Sequence, residues 1–71
     1  VHYLLSVAVP DRRTFDAYWY GIGTILAEIE TAPSRWLSVT IDYGDDRYRA
    51  QYQADRFASG LYFATVQEVA S

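Results

Sequence analysis

Few residues of this chain could do acid–base or covalent chemistry. His2 is the only imidazole and cysteine is absent, so thiolate nucleophiles, disulfides and thiolate metal sites are all excluded. A metal held by imidazole and carboxylates would have to rely on His2 alone, beside a chain end. Glu28 and Glu30 are two residues apart and cannot share one side of a helix, so they make no acid–base pair. Gly21-x-Gly23 lies inside an apolar helical pattern rather than between a strand and a helix start, which removes it as a dinucleotide loop. Ser6, Ser38 and Ser59 have no activating neighbours in the sequence. The expectation is a non-enzyme with no catalytic residue, no cofactor and no metal.

The densest acidic motif is Tyr43-Gly44-Asp45-Asp46. It resembles the metal-binding hairpin of palm-domain RNA polymerases, where adjacent Asp residues at a strand turn hold Mg²⁺ together with an Asp from another strand. Asp11 would supply that third carboxylate. The resemblance covers four residues, and the fingers, thumb and basic template channel of such an enzyme do not fit in 71 residues of net charge −3. Gly and Asp are also what a chain reversal requires. The motif therefore reads as a turn.

Composition points the same way. Seventy-one residues make one compact domain spanning 1–71, close to the size at which a single core is marginal. Half the residues are hydrophobic, with seven Tyr, three Phe and two Trp, which is enough for a core. All six basic residues are Arg, as coding bias in a GC-rich genome would give. Net acidity opposes binding to nucleic acid or to an anionic membrane and favours a protein partner with a basic surface. No apolar run spans a bilayer and no signal segment opens the chain, so a cytoplasmic protein is expected.

The elements that must position any site follow from periodicity. Residues 2–9 read as a buried strand closed by Pro10, with Asp11 capping a helix from Arg12 to about Thr31, where Ala32-Pro33 stops it. Its apolar stripe is Phe15, Tyr18, Trp19, Ile22, Ile25, Leu26 and Ile29. Residues 36–43 and 47–55 both alternate at the strand period. A hairpin turning at Asp45-Asp46 pairs Ile41 with Ala50 and Val39 with Tyr52 inside, and Asp42 with Arg49 and Trp36 with Asp55 outside. Ala58-Ser59-Gly60 reads as a second hairpin loop, with Gly60 left-handed. The last strand then places Tyr62, Ala64 and Val66 inside and Leu61, Phe63 and Thr65 outside; the competing reading makes 59–70 a helix capped by Ser59. The expected fold is α+β, a single helix on one face of a small four-stranded sheet in the order β-α-β-β-β. Its first strand would run parallel to 36–43, with strand order open.

The functional expectation comes from the outer sheet face. Trp36, Asp55 and Phe63 fall in one row, with Phe57 and Leu61 at the adjoining tip. Asp42, Asp45, Asp46 and Asp11 form a set of carboxylates that could imitate phosphates, with Arg49 opposite Asp42. This favours a non-enzymatic protein-binding module, an inhibitor or antagonist that occupies a surface of a larger protein. Toxin immunity partners and phage- or plasmid-borne anti-defence proteins are of this type. A homodimer through the same face is the parallel expectation. The alternatives are a single-stranded nucleic-acid binder stacking bases on Trp36 and Phe63, and a small-molecule-binding or enzymatic α+β domain.

Overall fold

The structure, a computed structural model, describes residues 1–31 and 36–70, with no side-chain description at Thr31. The elements run β1 His2–Val9, α1 Arg12–Tyr18, β2 Thr24–Thr31, β3 Trp36–Asp42, α2 Arg47–Ser59 and β4 Phe63–Val69. They form one four-stranded sheet of order β2-β3-β1-β4, antiparallel throughout. This is the split β-α-β pattern, with both helices on one face of the sheet and the other face open. The class is α+β as expected, but with two helices rather than one, and the last segment is a strand.

Two of the expected elements are replaced. The long helix over 12–31 is instead a short helix, a loop and a strand. Asp11 does cap α1, its carboxylate accepting from the Thr14 N–H at 2.7 Å. The helix stops at Trp19, and Gly21 and Gly23 take φ of +76° and +95° in the loop. Gly23 is also required by close approach, since a Cβ there would lie 2.8 Å from Cγ2 of Ile41. The following Thr24-Ile25-Leu26-Ala27-Glu28-Ile29-Glu30-Thr31 pairs with β3 across a bulge between Ile25 and Ala27. The extra strand reverses the chain once more, so β1 runs antiparallel to β3, not parallel. The expected stop at Ala32-Pro33 lies outside the described residues.

The alternating segment 47–55 is not a strand either. It is the body of α2, and it contains no β-branched residue. Asp46 caps it, accepting from the Arg49 N–H at 3.0 Å. Ala50, Gln53, Ala54 and Phe57 form the buried stripe at the 3.6-residue period. Tyr52, expected inside, is half exposed, while Gln53, expected outside, is buried. Gln53 meets the open end of α1: its Nε2 donates to Tyr18 O at 2.8 Å and its Oε1 accepts from Tyr20 N at 3.2 Å. An amide that satisfies backbone groups left over at a helix end loses little by being buried.

The core joins Leu5, Val7 and Val9 of β1 to Leu37, Val39 and Ile41 of β3 and to Tyr43, under Phe15 of α1 and Ala50, Ala54 and Phe57 of α2. Phe15 and Phe57 stack at 5.7 Å between ring centroids, which ties the two helices together. Faces expected for strands 2–9, 36–43 and 61–66 are all as observed. Gly60 is not the left-handed residue, however. Tyr18 and Tyr62 press on it so closely that a Cβ would meet the Tyr18 hydroxyl at 2.6 Å, and positive φ (+66°) falls on Leu61.

Candidate functional site

The open face of the sheet can be read row by row from the registers. At one end Ile29, Ser38, Ala8 and Phe63 lie side by side across β2, β3, β1 and β4. The next rows hold Ala27, Thr40, Ser6 and Thr65, then Thr24, Asp42, Leu4 and Gln67, and His2 stands beside Val69 at the far end. Trp36 begins β3 at the Phe63 end. Because Ala8 on the strand between them is small, the Trp36 and Phe63 rings lean together over β1, with centroids 6.3 Å apart. Phe63 is 73% exposed, Ile29 60% and Leu61, just ahead of β4, 93%. Ser6, Ala8, Ser38, Thr40 and Thr65 floor a shallow depression of about 370 Å³ beside Phe63.

Charge is distributed very unevenly. Of nine carboxylates in the chain, only Asp42 lies on this face, and its partner there is His2, at 3.3 Å. The backbone N–H of Gly44, 2.7 Å away, and then His2 hold the Asp42 carboxyl below the usual carboxylate range. The arginines among the described residues, Arg12, Arg13, Arg47, Arg49 and Arg56, all sit on α1 and α2, on the opposite side of the sheet. Glu28 and Glu30 oppose Val39 and Leu37, which places them on the helix side, where Glu28 pairs with Arg12. The face therefore carries little charge, with its large exposed apolar side chains at one end and Ser, Thr and Gln along the rest.

Several expected site residues are elsewhere. Asp55 is on α2, accepting from Gln51 Nε2 at 3.0 Å, not beside Trp36. Phe57 is fully buried under the sheet rather than exposed at a tip. Arg49 pairs with Asp46 at 3.1 Å, not with Asp42. Asp42, Asp45 and Asp46 gather at the polar end of the sheet, whereas Asp11 caps α1 at the apolar end, so the four carboxylates do not make one surface. A depression of about 390 Å³ between Gly23, Asp42, Gly44, Asp46 and Arg49 has its carboxylates already engaged by backbone N–H groups, His2 and Arg49. Among the described residues no group of three or more His, Asp or Glu converges to hold a metal, and no helix is long and apolar enough to cross a membrane.

Trp36, Phe63 and Leu61 are brought to one end as expected. Ile29 and Ala27 were missed because their segment read as helix. Their signal is the β-branched run Thr24, Ile25, Ile29, Thr31 behind two glycines. Comparison with protein-family models, with curated proteins and with solved structures finds no match to this chain. The fold pattern alone assigns no activity.

Proposed function

We propose that the protein is a non-enzymatic protein-binding module, which acts by occupying a surface of a larger protein with the open face of its sheet. The observation that supports this reading is the segregation of charge. Eight of nine carboxylates and every described arginine lie off the face that carries Phe63, Ile29 and the Trp36 ring. A desolvated contact centre is depleted in charge and anchored by aromatic groups. A single-stranded nucleic-acid binder needs the reverse, cationic side chains along the stacking platform. Inhibition or antagonism is then steric, the partner losing access to whatever it binds with the covered surface.

The test uses wild type, Phe63→Ser and Leu61→Gly as tagged baits, followed by reconstitution with the purified partner. Phe63→Ser should weaken the reconstituted complex by about tenfold to a hundredfold, as loss of an aromatic anchor does. A partner held equally by all three proteins removes the open face from consideration. Tight, strongly salt-dependent binding of an oligothymidine probe would replace this reading with the nucleic-acid one.

A further inference from the structure

The two edges of the sheet are built differently. The β2 edge is broken by the bulge at Ile25–Ala27 and carries Glu28 and Glu30, devices that discourage pairing with another strand. The β4 edge has no bulge and a single glutamate. Its residues Phe63–Val69 pair with β1 in an unshifted register from Ala8 to His2 and include no Gly, Pro, Lys or Arg. Its one charged side chain, Glu68, is drawn back over its own sheet, accepting from the Tyr3 hydroxyl at 3.0 Å. An edge in unbroken register, whose single charge is held over its own sheet, is a template for a further strand.

We propose that this edge is filled by a second copy of the chain, joined antiparallel about a two-fold axis so that two four-stranded sheets become one. Residues opposed across an antiparallel pair share a face, so Phe63, Thr65, Gln67 and Val69 must meet one another, and Ala64, Val66 and Glu68 likewise. The alignment that uses the whole strand centres on Val66. It sets Phe63 against the partner's Val69, Thr65 against the partner's Gln67 and Glu68 against the partner's Ala64. Two Glu68 carboxylates are then offset by four residues, about 13 Å along the strand, beyond the screening length at physiological salt.

The helix above β4 supplies the argument for a copy of this chain rather than another strand. Arg47 and Gln51 of α2 lie beside Val66 and Glu68, and Asp55 continues their stripe one turn on, tied to Gln51. Along the flank of α2 over β4 the charges therefore read positive, neutral, negative at four-residue steps. A two-fold through Val66 passes near Gln51 and lays the two α2 helices antiparallel side by side. Arg47 then faces the partner's Asp55, twice. A sequence that complements its own reverse in strand register and in helix charge is what an isologous interface requires. This pairing leaves the open face uncovered and does not depend on what that face binds.

Sedimentation velocity on the whole chain tests it. The mass should rise with concentration from 8.1 kDa toward twice that value. Arg47→Glu alone and Asp55→Arg alone should each raise the dissociation constant by about tenfold, and the two together should restore it, because the exchange preserves complementarity. Both substitutions are at exposed positions, and circular dichroism checks that each of the three variants is folded. A chain that stays monomeric at millimolar concentration overturns the proposal. So does a dimer insensitive to both single reversals, or single losses that the double variant fails to rescue. A dimer abolished by Phe63→Ser but indifferent to the α2 charges would place the contact on the open face instead.

Discussion

Replacing Leu61 by Gly should make the fold more stable and the protein worse at binding. Leu61 is held at φ +66° and is 93% exposed, so its side chain contributes almost no burial and its backbone sits where a Cβ is unwelcome. The left-handed conformation costs a non-glycine residue about 1–2 kcal/mol. Glycine removes that cost but adds freedom to the unfolded chain, which takes back about 0.5–1 kcal/mol. The net gain is about 0.5–1 kcal/mol, or a Tm higher by about 3–6 °C in a domain of this size. Thermal and urea unfolding followed by circular dichroism, at one fixed protein concentration, measures it. Leu61→Ala is the companion variant, since it removes the side chain but keeps the backbone cost. It should stay within about 0.5 kcal/mol of wild type. Both variants should lose partner affinity together, because binding uses the side chain and stability responds to the backbone. A Tm lowered by Leu61→Gly refutes the reasoning about conformation, and unchanged affinity in both variants refutes the role of the apolar end.

Gln53→Ala should cost about 2 kcal/mol in urea unfolding, because the Tyr20 N–H loses its partner and the buried site is left with a void. Gly23→Ala should destabilise by about 2 kcal/mol or more, through both its φ of +95° and the 2.8 Å approach to Ile41; an unchanged urea midpoint would show that the 19–23 loop is not held as described. The Asp42 carboxyl is held low in the folded protein, so its contribution is present above the ordinary carboxylate range and is lost as pH falls through its lowered folded value. Asp42→Asn should therefore lower stability in the neutral region and converge with wild type at acid pH, flattening the acid limb, and superimposable stability–pH profiles would refute that assignment.

How much of this was readable beforehand depended on whether a segment satisfied one period or two. Leu5, Val7 and Val9, and Leu37, Val39 and Ile41, alternate with branched residues that fit a pleated surface, and their faces were assigned correctly. Ala50, Tyr52 and Ala54 alternate too, but Ala50, Ala54 and Phe57 also repeat at the helical period. The two periods differ in where they put Gln53, a polar residue whose burial depends on backbone groups at the end of α1, thirty-odd positions away in sequence. Nothing local announces such a partner. The stretch Phe15 to Ile29 keeps helical spacing straight through Gly21 and Gly23, and the β-branched residues behind them, paired with β3, make its second half a strand. At the candidate site, Trp36, Phe63 and Leu61 were legible because their strand faces were. Asp55 and Phe57 were misplaced with the helix that carries them.

The seven residues of α1 are too few to hold a helix on their own, since isolated helices shorter than about 12–15 residues are marginal in water. The end of α1 is closed from across the molecule, by the Gln53 amide and by Arg56 Nε on Tyr18 O at 3.2 Å. Its order is therefore borrowed from α2, and the two helices constitute one cooperative unit of opening. Amide protons from Phe15 to Tyr20 should exchange with solvent at the rate set by undocking of α2, not by local fraying. Refolding should follow the same dependence, α1 amides gaining protection in pulse-labelled hydrogen exchange no earlier than those of α2, although α1 emerges first from the ribosome.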